Sequence, residues 1–168
     1  MENCLSWSKD ELRVRIYDHA PFLDVEARVP DGYVKMMLKY TPSYVFIEDI
    51  QGNGFDSKLQ GKGTGSLLVN TAVQYLRAKL SADIEVSGEM SDANDPREPD
   101  LLKHCQTNRI KFWASFGFTI IPSAVGRDRL IAKLSDLKVK KDGTVLGSHP
   151  KYIPLSSFTE DALPHRRL

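Results

Sequence analysis

Apolar and polar residues alternate through much of the first fifty positions. In ELRVRIY, 11–17, Leu12, Val14 and Ile16 fall on one side and charged neighbours on the other, the period of a half-buried strand. FLDVEARV, 22–29, repeats this less strictly through Phe22, Val25 and Val29, between the turn residues of HAP and PDG. YVKMMLKY, 33–40, fits a strand or a short helix, and its flanking turns and hairpin-like spacing favour a strand. YVFIEDI, 44–50, is a better strand, followed by QGNG, where Gly52 and Gly54 are placed for a bulge rather than for the strand's end.

The period then changes. From Thr64 to Leu80, Leu68, Ala72, Leu76 and Leu80 recur four apart and Leu67, Val69 and Val73 widen the stripe, which predicts an amphipathic helix. DIEVSGEM, 83–90, reads as a short strand through Ile84 and Val86, and 91–100 as a polar, proline-containing loop. The stretch 101–116 reads as helical, with a break near Thr107, and ends before Gly117 at a C-cap. FTIIP, 118–122, and RLIAKL, 129–134, are strands; a hairpin around Asp142-Gly143 and a loosely ordered Pro/Ser-rich tail complete the chain. The order is four strands, helix, strand, helix, strand, strand: a mixed α/β (α+β) fold with one strand–glycine loop–helix unit near its centre.

Composition narrows the classes. At 168 residues one domain is the natural reading, taken as 1–134, with a C-terminal extension over 135–168. Hydrophobic content of 41% and charged content of 27% describe an ordinary globular chain. A net charge of +1 predicts neither a nucleic-acid clamp nor a membrane-surface binder. Cys4 and Cys105 have no metal-ligand spacing and are too few for a disulfide scaffold, so a reducing compartment is expected. MENCLSWSKDELRV lacks a signal peptide's apolar core, and no stretch approaches the roughly 18 apolar residues of a membrane helix, so the expected location is cytoplasmic.

The chemistry concentrates in KLQGKGTGSLL, 58–68. A strand feeding a glycine-rich turn and a helix is a generic anion site, because amides and the positive end of the helix dipole converge there. Gly61-Lys62 is followed by Gly63, which breaks the P-loop pattern, and G-x-G-x-G is not the dinucleotide fingerprint G-x-G-x-x-G. A plain strand-to-helix turn, with glycines for flexibility, remains the competing reading.

Gln60-Gly61-Lys62-Gly63-Thr64-Gly65 resembles the Q/R-x-x-G-x-G/A signature of the GNAT (general N-acetyltransferase) superfamily. FDSKLQ, 55–60, fills the frame V-x-P-x-x-R that precedes it, with Phe55 for the valine and Ser57 for the proline. FWASFGF, 112–118, is similar to the superfamily's aromatic helix end closing on Gly-Phe, and the element order over 44–134 agrees. The resemblance implies a mostly antiparallel central sheet flanked by helices, and transfer of an acetyl group from acetyl-CoA to an amine by direct attack. It implies that backbone amides from Gln60, Gly61, Lys62, Gly63, Thr64, Gly65 and Ser66 hold the pyrophosphate. Phe55, Asp56 and Ser57 would meet the acetyl and pantetheine groups, with Asn108, Phe112 and Trp113 completing the cofactor contacts.

In the histone-acetylating branch the base is a glutamate six residues before the valine position. Counting back from Phe55 lands on Asp49, with Glu48 beside it on the opposite face of a regular strand. A solvated or salt-bridged edge carboxylate is the competing reading for each, and Glu89 is a third candidate. Trp113 departs from the pattern: many members carry a tyrosine there to protonate the leaving thiolate, which indole cannot do. Tyr75 and His104 are substitutes to test against packing roles; Asn108 is offset by two from the aligned Gln106, and Cys105 reads as a small core residue. The N-terminus also departs, reading as strands where the superfamily places two helices. Acetyl-CoA and an amine acceptor of protein, peptide, small-molecule or aminoacyl type are the implied partners; nucleic acid and membrane are disfavoured, and a homodimer is compatible. The competing function is a non-catalytic binding module on the same fold.

Overall fold

The computed structural model describes residues 2–52, 57–90 and 95–161. The alternating segments form an antiparallel meander of β1 (Glu2–Lys9), β2 (Leu12–His19), β3 (Phe22–Val29), β4 (Gly32–Thr41) and β5 (Tyr44–Gln51). Helix α1 (Thr64–Lys79) then crosses to β6 (Glu85–Glu89), which pairs parallel to β5. Helix α2 (Pro99–Ala114) leads to β7 (Thr119–Ile121) and β8 (Arg129–Lys133), followed by short strands β9 (Thr144–Val145), β10 (His149–Pro150) and β11 (Thr159–Glu160). The main sheet runs β11-β1-β2-β3-β4-β5-β6-β8-β7, nine strands of which only β5 and β6 are parallel neighbours. This is a mixed α+β architecture: a large, mostly antiparallel sheet with two helices, not closed into a barrel. Among the described residues no helix is long and apolar enough to cross a membrane.

Strand alternation sets the core. Val14 and Ile16, Leu23 and Val25, Val34 and Met36, and Val45 and Ile47 are buried, and α1 lays Leu68, Ala72 and Leu76 over β3 and β4. Each fully buried side chain of this size contributes about 1.5–3 kcal/mol, so packing rather than propensity holds α1.

Several expectations change. Strand β1 was not legible, because ENCLSWSK offers only Leu5 and Trp7 as alternating large apolar residues. The bulge lies at Glu48, not at Gly52: Leu38 faces Ile47 and Met37 faces Asp49, leaving Glu48 as the extra residue. Gly52, at φ +96°, ends β5 where a Cβ would collide with the Tyr33 carbonyl. Helix α2 runs unbroken past Thr107, capped by the Glu98 carboxylate, which accepts from the Asp100 and Leu101 amides.

The described part of the C-terminal extension, 135–161, forms a strap. Its hairpin pairs Val145 with His149, so the turn lies at 146–148 rather than around Asp142-Gly143. Further on, β11 adds to the sheet edge through Leu5↔Glu160 and Ser6↔Thr159. The basic end His165-Arg166-Arg167 lies outside the described residues.

Candidate functional site

Strands β5 and β6 part company at one point. Their pairing runs Tyr44↔Glu85 to Ile47↔Gly88, while β5 continues to Gln51 against β4 alone. Gly88 closes the paired part: a Cβ there would come within 3.0 Å of the Ile47 carbonyl oxygen, so a side chain would force the strands apart. The Glu48 bulge follows immediately and bends β5 away. Beyond it, backbone groups of β5 turned toward β6 have no strand partner among the described residues.

The bulge also decides where the two candidate carboxylates point. With the extra residue inserted, Glu48 and Asp49 share the sheet face opposite α1, instead of pointing to opposite faces. Glu48 lies 3.4 Å from the Lys39 ammonium, an exposed ion pair. Asp49 stands across from Met37 without an ion pair among the described residues. Phe55 and Asp56 lie outside the described residues.

The loop into α1 is built from its own short bonds. The Ser57 hydroxyl donates to the Gly52 carbonyl and accepts from the Leu59 amide at 3.1 Å. The Gln60 amide donates to Ser57 at 3.2 Å and the Lys62 amide to Leu59 at 3.4 Å. Gly61 and Gly63 then take left-handed φ of +71° and +85°, which only glycine adopts freely. Gly63 is the N-cap of α1 and supplies no side-chain cap; the first turn holds no acidic residue. Leu67 donates to the Gly63 carbonyl at 3.1 Å, but among the described residues the amides of Gly61, Gly63, Thr64, Gly65 and Ser66 find no acceptor. Thr64, Gly65 and Ser66 are buried. The first amides of a helix have no partner within it, and here no side chain caps them.

The two glycines play different parts. At Gly61 a Cβ would meet nothing within 4 Å. At Gly63 it would come within 2.5 Å of the Thr144 carbonyl oxygen, so that side is closed. The strap fills that side of Gly63. It is fixed there by Leu146 donating to the Lys62 carbonyl at 2.9 Å, and by Asn70 on α1. The Asn70 amide donates to the Lys140 and Lys151 carbonyls and accepts from the Lys140 amide, each at 2.8 Å. Gln74 continues the seam, donating to the Ile153 carbonyl at 2.8 Å and accepting from the Leu155 amide at 3.0 Å. Sequence reasoning missed these residues; the only signal was a polar Asn70 within an apolar helix stripe.

The α2 end of the site is an aromatic cluster. Trp113 meets Phe112 and Phe118 edge-on at centroid separations of 5.1 and 5.5 Å, and Phe116 is fully buried beside Phe112. Trp113 is thus a packing residue. Gln106 is exposed, as is Asn108, whose side chain bonds the His104 ring at 3.0 Å. Cys105 is half-buried, and Glu89 ends β6 opposite Arg129. Among the described residues no group of His, Cys, Asp and Glu is gathered as a metal site.

Tyr75 belongs to another cluster, toward the far end of α1. Its hydroxyl donates to Asp18 at 2.5 Å, Tyr40 donates to the same carboxylate at 2.6 Å, and Lys79 completes an ion pair with it. Burial and then Asp18 push the Tyr75 hydroxyl up to about 12. Burial opposes ionisation of Asp18, but Lys79, Tyr40 and Tyr75 outweigh it and hold the carboxyl below its usual value. Tyr75 is therefore a poor proton donor at neutral pH and is tied up in this network.

No protein-family model matches the chain, and no curated protein or solved structure matches it significantly.

Proposed function

We propose that the protein is an acetyl-CoA-dependent N-acetyltransferase acting on a primary amine of protein, peptide, small-molecule or aminoacyl type. The observation that carries this reading is the set of uncapped amides of Gly61, Gly63, Thr64, Gly65 and Ser66, in a loop that resembles the GNAT signature. A diphosphate matches such a set: it is anionic, accepts several hydrogen bonds and meets the positive end of α1. The β4-β5-β6-β8-β7 order, with β5 and β6 parallel around α1, agrees with the layout expected of that superfamily.

In this reading the pantetheine arm lies along the unpaired part of β5, whose N–H groups stabilise the oxyanion. The amine nitrogen attacks the thioester carbonyl carbon, a C–N bond forms, and collapse of the tetrahedral intermediate breaks the C–S bond. The ammonium of a lysine-type acceptor, with an ordinary pKa of about 10.4, must first lose a proton. Asp49 takes that proton, directly or through water, because Glu48 is engaged with Lys39. The thiolate is protonated by water, since Trp113 cannot serve.

Calorimetry with acetyl-CoA, together with thiol release over a panel of amines, tests this. Binding and amine-dependent release are expected, and Asp49→Ala should keep binding while turnover falls about a hundredfold. No binding at high micromolar acetyl-CoA sinks the reading; unchanged turnover in Asp49→Ala removes Asp49 from the mechanism. The buried, ring-packed Trp113 favours a second reading, a binding module that keeps the donor site without efficient transfer. Binding without turnover across the panel would select it.

A further inference from the structure

The strap brings an excess of positive charge to the glycine loop. Lys138, Lys140, Lys141 and Lys151 lie on it, and Lys58 and Lys62 lie in or beside the loop. Among the described residues none of the six is in an ion pair. In a chain of net charge +1 this is a local concentration, not a global trend.

Two of these lysines are fixed together. Asn70 holds the backbone of both at 2.8 Å. The Lys151 stem passes the loop, its Cε 3.1 Å from where a Cβ on Gly63 would stand, and its Nζ is as close to the Cβ position of Gly143. The Lys140 Nζ lies 4.2 Å from the centre of the Phe116 ring and 5.5 Å from that of Phe112. A ring face attracts a cation but carries no net charge, so it does not neutralise the pair. Burial, and then the charge of Lys151, push the Lys140 ammonium below its ordinary pKa. Two lysines anchored through one amide side chain beside the glycine loop, with no ion pair to either among the described residues, favour an anion near them.

We propose that Lys140 and Lys151 form an anion subsite on the strap, beside the glycine loop, that takes a phosphoryl group of the donor. The identity of the donor rests on the N-acetyltransferase reading; the anion subsite does not. Lysine suits this role as a point charge on a flexible stem, able to follow a phosphate that the backbone amides position.

The test uses the full chain, inorganic pyrophosphate and acetyl-CoA as calorimetric probes, and the double variant K140Q/K151Q, with K138Q/K141Q as a control. Both probes should bind the wild type, more weakly as salt rises. K140Q/K151Q should lose about tenfold or more in affinity for each, and K138Q/K141Q much less. Titration of the Lys140 ammonium by NMR should shift to higher pH when pyrophosphate is added, a readout that a packing role would not move. Equal binding of both probes to wild type and K140Q/K151Q overturns the subsite and leaves the acetyltransferase reading standing. Lysine-dependent pyrophosphate binding without acetyl-CoA binding keeps the subsite and ends that reading. Failure of both probes on the wild type overturns both.

Discussion

The two ends of α1 handle polar groups in opposite ways. Toward the C-terminal end, one carboxylate with 1% side-chain exposure is met by two tyrosine hydroxyls and an ammonium. At the N-terminal end the amides of Thr64, Gly65 and Ser66 meet no acceptor, and the nearby lysines are in no ion pair, among the described residues. Gly61 and Lys62 of the loop are exposed while Asp18 is buried, so the loop end is the one a ligand from solvent can reach. A cluster that satisfies itself ties strands to a helix; one left short of acceptors is where a ligand would contribute most. The comparison separates residues that hold the fold from those that serve the proposed chemistry, and each can be broken independently.

The largest effect should come from the satisfied end. Asp18→Ala strands the Tyr40 and Tyr75 hydroxyls in the interior, both residues being under 10% exposed. Lys79, with a side chain 41% exposed, turns to water, so its share is small. A loss of about 3 kcal/mol is expected in urea denaturation, with acetyl-CoA affinity of the folded fraction unchanged. The pH dependence has a definite sign. The folded-state Asp18 pKa is lowered, so its stabilisation is present above the ordinary carboxyl value of 3.8 and is lost as pH falls through the folded value. The Tyr75 pKa is raised, so its share is complete below 10.0 and is lost as pH rises toward about 12. Denaturation across pH should show both shoulders in the wild type; Asp18→Ala should lose the Asp18 share of the acid shoulder and keep a weaker alkaline one, and identical profiles would remove the network from the account.

Next comes the seam that joins α1 to the strap. Asn70 is fully buried and makes three of the four hydrogen bonds its amide can form. Asn70→Ala leaves two carbonyls and an amide of the strap unpaired, a cost of about 2–3 kcal/mol. Hydrogen exchange should locate the damage: the Leu146 amide, bonded to the Lys62 carbonyl, should lose protection, while amides of β2 and β3 keep theirs. Uniform loss over the chain would mean that the strap does not open separately.

These elements differ in how far the sequence disclosed them. Strands β2 to β5 and helix α1 were legible to within a residue or two, because periods of two and of about 3.6 residues each encode a buried face. Strand β1 and the strap were not, for separate reasons. Leu5 and Trp7 give too short an alternation, and the strap has no period at all: it is held by amide side chains whose partners lie 70–81 residues away. The bulge was placed at a glycine when the extra residue is Glu48, since the register comes from pairing with β4. The glycine run pointed to an anion site from sequence alone. Which glycine faces open space depended on the strap, which no local pattern revealed.

The smallest effect, and the sharpest test of the loop, lies in exchanging its two left-handed glycines one at a time. Gly61→Ala meets no neighbour and costs only the strain of a positive φ, about 1 kcal/mol. Gly63→Ala carries the same strain and also drives a methyl group against the Thr144 carbonyl, so it should cost about 2 kcal/mol and loosen the strap. Donor affinity should reverse that order of sensitivity. A methyl on Gly61 enters the open side that the proposed diphosphate would approach, whereas one on Gly63 acts through the strap. Thermal denaturation beside acetyl-CoA calorimetry reads both quantities on the same samples. If affinity falls only in step with stability, Gly61 is a turn residue and the open side of the loop is not where the donor binds.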